Sequence, residues 1–185
     1  MKMLRNVSTL VLATILLVQS GAQAQTVAGQ SEITARVRDR FQLILKSHGK
    51  AHAFDVRESV DAAKLDAATI LFETRRQDFI YLLISACGPS KLKPDDHECG
   101  AGQECNLLWL KLSAAWKIDD LKSTHYESCW SPISSDEGYK ITGRVLRLDY
   151  FDLRKKLNYH LTYDADRPES GWSVEETAIK DEESK

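Results

Sequence analysis

The stretch NLLWLKLSAAWKI, residues 106–118, decides the fold class because apolar residues occupy every second position from Leu108 to Ile118. A period of two predicts a β-strand with one buried face, since successive side chains of a strand point to opposite faces of the sheet. Trp109 falls on the face opposite the leucines. We therefore expect Trp109 to be an exposed anchor that binds a ligand or a partner.

Several other segments of the chain also predict strands. Residues 70–72 and 79–84 form a predicted hairpin whose second strand is buried on both faces. Further predicted strands cover residues 121–129, 140–150, 157–163 and 172–177. In 157–163, Leu157, Tyr159, Leu161 and Tyr163 face one way, while Asn158, His160 and Thr162 face the other. The pattern indicates a curved, mostly antiparallel sheet of about six or seven strands.

Two helices are predicted before this sheet. Ser31 is a candidate N-cap and Gly49 a candidate stop for a first helix, whose apolar face consists of Ile33, Val37, Phe41, Ile44, Leu45 and His48. Asp55 and Glu58 resemble a capping box for a second helix that extends to Ala67. The predicted fold class is therefore α+β, with two N-terminal helices packed on the sheet.

The N-terminus has the three parts of a secretory signal peptide. Lys2 and Arg5 are basic, residues 10–18 are apolar, and Ala22 and Ala24 supply the small residues of a cleavage site. The apolar part is too short to span a bilayer, which takes about 20 residues. We therefore expect residues 1–24 to be removed, leaving 25–185 as a single disulfide-stabilised domain without a stable membrane span. The expected location is the periplasm or the extracellular space.

The charge of the chain argues against nucleic acid as a partner. The 185 residues include 25 basic and 27 acidic side chains, a net charge of −2. Loss of residues 1–24 removes two basic residues and no acidic one, so the remaining domain carries −4. A nucleic-acid-binding domain usually carries a basic surface instead.

The four cysteines predict two disulfides. An even number of cysteines in an exported chain is typical of disulfide bonding, and no two lie close enough in sequence for a usual zinc site. Cys87 ends one predicted strand and Cys105 begins the next, so antiparallel pairing would place them side by side. The expected pairs are therefore Cys87–Cys105 and Cys99–Cys129.

The sequence contains no recognisable catalytic, cofactor-binding or metal-binding motif. The run 100–105 lacks the third glycine of a dinucleotide loop, and His97-Glu98 lacks the second histidine of a zinc protease motif. The favoured function is an exported binding protein, such as an inhibitor or envelope component, with a protein or carbohydrate ligand. The alternative is a small hydrolase in which His97, Glu98, His125 or His160 act as acid–base groups. A pocket that joins a histidine to a carboxylate would favour the enzyme, and a flat aromatic patch would favour binding.

Overall fold

The computed structural model of the protein describes residues 32–91 and 102–180, which form two antiparallel sheets. A three-stranded sheet has the order β1-β2-β3, with β1 at Ile33–Arg38, β2 at Gln42–Ser47 and β3 at Lys50–Asp55. The nine-stranded sheet has the order β12-β11-β10-β8-β7-β6-β5-β4, with β9 beside β10. Its strands are β4 Ala67–Arg76, β5 Phe79–Pro89, β6 Gln103–Ser113, β7 Ile118–Ser128, β8 Ile133–Ser134, β9 Tyr139–Thr142, β10 Val145–Asp152, β11 Leu157–Asp164 and β12 Trp172–Ala178.

The predicted first helix is wrong, because its residues form the three-stranded sheet. Asp39 and Arg40 adopt positive φ between β1 and β2. His48 and Gly49, also at positive φ, form the two-residue turn between β2 and β3. Two central residues with positive φ match the right-handed twist of a hairpin, so Gly49 serves a turn and not a helix end. The apolar spacing of three and four arose because separate strands each contribute buried residues.

The predicted second helix is also wrong. In place of a helix, the residues after Asp55 form a single 3-10 turn at Arg57–Ser59. The Asp55 carboxylate accepts a hydrogen bond from the backbone N–H of Arg57 at 3.0 Å. The chain then crosses the central sheet in an irregular path and buries Val56, Val60, Ala62 and Leu65 against it. Gly88 of β5 permits this crossing, since a Cβ there would lie 1.8 Å from the carbonyl oxygen of Lys64. The described residues contain no α-helix, and the α+β class is corrected to all-β. The expected single sheet of about six or seven strands is corrected to two sheets, of three and nine strands.

Strands β5 and β6 separate two hydrophobic cores, which confirms that β5 is buried on both faces. One face, with Leu82, Ile84, Leu108, Leu110 and Leu112, packs under the three-stranded sheet. The other face, with Leu83, Leu107 and Trp109, packs against β10 and β11. The nine-stranded sheet is therefore folded over on itself, and the molecule has three layers.

The nine-stranded sheet bends at β8, which is only two residues long. Ser128 of β7 pairs with Ile133, and Ile133 and Ser134 pair with the end of β10. At the opposite edge, β4 approaches the connection between β11 and β12, where the Thr74 hydroxyl donates to the carbonyl of Ala165 at 3.1 Å. The second core is enclosed between these two joins.

The position of Trp109 differs from the expected exposed anchor. Its side chain is 2% exposed, and its indole N–H donates to the carbonyl of Pro168 at 2.9 Å. The face opposite the leucines is not a solvent face because the β10–β12 layer covers it. Period-two alternation distinguishes the two faces of a strand, but it does not show that one of them is exposed.

The alternating stretch also crosses a turn. Strand β6 ends at Ser113, and Ile118 begins β7. Trp116 adopts positive φ, and its backbone N–H donates to the carbonyl of Ser113 at 2.9 Å. The apolar residues beyond Leu112 therefore belong to the hairpin turn and the next strand, not to β6.

Cys87 and Cys105 are directly opposite each other on β5 and β6 and form a disulfide, with Cα atoms 4.2 Å apart. This separation is typical of a non-hydrogen-bonded pair in an antiparallel ladder, where side chains come closest. Cys129 is also disulfide-bonded. The predicted pair Cys99–Cys129 involves Cys99, which lies outside the described residues.

Replacing both Cys87 and Cys105 by alanine should lower the free energy of unfolding by about 3 kcal/mol. The bridge closes a loop of 18 residues in sequence, and its removal frees the unfolded chain to occupy more conformations. Urea unfolding of the double variant beside the unmodified protein measures the change. A loss below about 1 kcal/mol would show that strand pairing alone holds this end of the sheet.

Candidate ligand-binding groove

A groove of about 530 Å³ lies on the outer face of the β10–β11 hairpin, which we call the strand groove. Its floor is formed by residues whose neighbours in sequence are buried in the second core. These floor residues are Arg147, Asp149 and Phe151 of β10, with Asn158 and His160 of β11. The segment from Asp136 to Lys140 borders one side. The volume is in the range of small-molecule sites, about 300–1,000 Å³.

The turn after β10 sets the register in which β10 and β11 pair, and so the arrangement of the groove floor. The buried carboxylate of Asp152 accepts the backbone N–H groups of Arg154 at 3.0 Å and Lys155 at 3.1 Å. A carboxylate that accepts N–H groups two and three residues ahead stabilises a tight connection. The resulting register places Phe151 opposite Asn158.

Two of the floor residues are hydrogen-bonded to each other across the strands. Asp149 and His160 are opposite each other, with 2.9 Å between Oδ1 and Nδ1. Both side chains are well exposed, at 76% and 49% respectively. The pair contributes little to stability at such exposure, so its carboxylate and imidazole are available to a ligand at small cost.

Two cations lie side by side at one end of the groove. Lys140 of β9 pairs directly with Arg147 of β10. Lys140 also forms an ion pair with Glu137, and this hydrogen bond raises the pKa of the Lys140 ammonium, with smaller contributions from the charges of Glu137 and Asp149. The Arg147 guanidinium has no hydrogen bond or ion pair within residues 32–91 and 102–180. The same is true of the Asn158 amide at the other end.

His125 belongs to a second polar cluster, at a cleft of about 370 Å³ between β7 and the inner face of β10–β12. Its Nε2 lies 2.9 Å from Oε2 of Glu104, a contact that is close but not aligned as a hydrogen bond. Its Nδ1 lies 3.5 Å from the carboxylate of Asp61. Glu104 is almost completely buried, so an uncompensated charge there would be costly.

The remaining contacts in this cluster hold the crossing segment, residues 56–66, to the strands. Asn106 exchanges two hydrogen bonds with Asp61, both 3.1 Å long. Glu104 accepts hydrogen bonds from the Ser90 hydroxyl and, at 3.3 Å, from the backbone N–H of Trp130. The Ser90 hydroxyl thus donates to a carboxylate and not to His125, so it is not activated as a nucleophile.

The cleft above His125 is lined by two stacked tyrosines, Tyr150 and Tyr159, with ring centroids 4.7 Å apart. Burial raises the pKa of the Tyr150 hydroxyl, although its hydrogen bond to Thr124 at 2.9 Å lowers it. These hydroxyl and carboxylate groups are mostly occupied within the protein. The cleft therefore offers fewer free polar atoms than the strand groove.

The histidines proposed for an enzyme are not brought together. His125 lies in the buried cluster, His160 lies in the strand groove, and His97 and Glu98 lie outside the described residues. Arg147, Asp149 and Phe151 were missed because they occupy ordinary strand positions. The only available indication was the outward face of 157–163, which includes Asn158 and His160.

Comparison with protein-family models, with curated proteins and with solved structures finds no match to this chain. Within the described residues, no group of three or more histidine, cysteine, aspartate or glutamate side chains is arranged to hold a metal ion. The same part of the chain has no helix that is long and apolar enough to cross a membrane. The function must therefore be argued from the strand groove itself.

Proposed function

We propose that the protein is an exported binding protein and that the strand groove holds a carbohydrate. One observation carries this proposal: a concave site combines the partly exposed ring of Phe151 with polar side chains that have free hydrogen-bonding capacity. A sugar ring presents a C–H face that packs on an aromatic ring and hydroxyls that exchange hydrogen bonds. The Asn158 amide both donates and accepts, Asp149 accepts, and Arg147 donates.

A carbohydrate suits the groove better than a protein partner does. Protein partners usually require a larger and flatter apolar surface. The large hydrophobic side chains exposed in the described residues lie on three different strands and in two connecting segments. They are Ile118, Trp130, Ile141, Leu153 and Val174. A small polar ligand needs only the concave site.

The hydrolase alternative meets its criterion at one place, because the strand groove joins His160 to Asp149 at 2.9 Å. It still has less support, since no serine, threonine or cysteine among the described residues lines the groove beside this pair as a nucleophile. His125 and Glu104 are close enough for proton exchange, but both ring nitrogens of His125 face carboxylates. A general base needs a nitrogen within hydrogen-bond reach of the substrate or nucleophile. We therefore favour binding without a chemical step.

Export is part of the proposal. The N-terminal pattern of residues 1–24 supports it, and the Cys87–Cys105 disulfide is compatible with an oxidising compartment. A protein in that location would encounter oligosaccharides from the cell envelope or the surroundings.

An array of immobilised oligosaccharides tests the function, followed by calorimetric titration of those that bind. Replacing Phe151 by alanine should weaken the Kd at least about tenfold, because the sugar loses its apolar platform. The matched control is Trp130→Ala, which removes an exposed aromatic ring outside the groove and should leave the Kd unchanged. Absence of any bound oligosaccharide, or equal affinities of the two variants, would contradict the proposal.

A further inference from the structure

We infer that the bound carbohydrate carries an anionic group, which Lys140 and Arg147 hold at one end of the strand groove. This inference rests on the proposed function and adds the charge and orientation of the ligand. The anionic group is a carboxylate, sulfate or phosphate, since all three present oxygens that accept from ammonium and guanidinium groups.

The first reason is that the two cations are direct cross-strand neighbours. Lys140 and Arg147 pair in the β9–β10 ladder, and like charges directly opposite each other destabilise a sheet. Glu137 compensates Lys140, but Arg147 has no compensating partner in the part of the chain that the structure describes. A bound anion would provide that partner.

The second reason is that the nearest acid on the same strand face is already paired. Asp149 lies two residues along β10 from Arg147, about 7 Å away, and contacts His160 instead. The rim residue Asp136 is exposed and also lacks an ion-pair partner among the described residues. No acidic group that lines the groove forms an ion pair with Arg147 in the described residues, so its guanidinium is free to bind an oxyanion in its planar, two-pronged geometry.

The order of groups along β10 gives the ligand a direction. Arg147 and Phe151 are four residues apart on the same face, about 13 Å along the strand. The Arg147 end of the groove therefore attracts the anionic group. At the other end, Phe151 packs against the sugar ring and the Asn158 amide donates a hydrogen bond to it. We expect at least two sugar units, because a single ring is too short to reach both ends.

The test uses matched disaccharides, each immobilised in four forms: neutral, uronate, sulfated and phosphorylated. At least one anionic form should bind about tenfold or more tightly than its neutral counterpart, and the preferred form identifies the oxyanion. Replacing Arg147 or Lys140 by alanine should reduce this preference toward unity. Arg154→Ala, which removes an exposed cation from the β10–β11 turn, should retain it.

The outcomes separate this inference from the proposed function. Equal or tighter binding of neutral forms would overturn the anionic site and leave carbohydrate binding in place. Failure of all forms to bind would overturn both. An anionic preference that persists in the Arg147 and Lys140 variants would show that other residues hold the charge. Raising the salt concentration should weaken only the anionic forms, because ions screen exposed charges.

Discussion

Replacing Trp109 by alanine should lower the free energy of unfolding by about 3–5 kcal/mol, one of the largest effects expected in this protein. The indole is buried in the second core beside Tyr81, with ring centroids 6.0 Å apart. Its removal leaves a cavity between two layers that β5 and β6 cannot close, since their other faces are packed as well. Urea unfolding followed by circular dichroism measures the change.

Two further variants separate the causes of the Trp109 effect. Trp109→Phe keeps much of the apolar volume but loses the hydrogen bond to Pro168, so about 1 kcal/mol of the stability loss should remain from that bond. Trp130→Ala removes an exposed tryptophan and should change stability by no more than about 0.5 kcal/mol. Equal stabilities of the Trp109→Ala and Trp130→Ala variants would show that Trp109 is not a core residue.

Replacing Glu104 by alanine should be destabilising by about 3–5 kcal/mol, because it leaves the partners of a buried charge without a counterpart. The variant removes the acceptor for the Ser90 hydroxyl and the carboxylate oxygen that lies 2.9 Å from Nε2 of His125. Thermal and urea unfolding at neutral pH measure the loss. The matched control is Glu127→Ala, an exposed acid on the neighbouring strand, which should change stability by no more than about 0.5 kcal/mol.

Glu104→Gln keeps this prediction testable if the alanine variant fails to fold. Glutamine retains an oxygen that accepts from Ser90 and places an NH2 donor, without charge, opposite His125. We expect the Gln variant to lose less stability than the Ala variant. If both variants were as stable as Glu127→Ala, the buried cluster would not hold the crossing segment to the strands.

Local periodicity predicted the β half of the fold and failed at the N-terminus. The alternation around Leu108 and the continuous apolar run of β5 are both local patterns, which a sequence displays directly. The His48-Gly49 turn was mistaken for a helix end because glycine suits both structures. Choosing between them requires knowledge of which strands pair, and that is a property of the tertiary fold.

The candidate site was predictable only in part. The outward direction of Asn158 and His160 followed from alternation in 157–163. Their pairing with Phe151 and Asp149 depends on the register that the Asp152 turn imposes. The burial of Trp109 could not be predicted, because it results from a layer whose contact at Pro168 lies 59 residues further along the chain.

The one-sided packing of the β10–β11 hairpin has a consequence for how its specificity can change. Inner positions such as Leu148 and Tyr159 hold the layer in place, while outer positions form the floor of the groove. Substitutions at exposed positions usually alter stability by less than about 0.5 kcal/mol. New ligand preferences can therefore evolve on this hairpin one residue at a time, without compensating mutations in the interior.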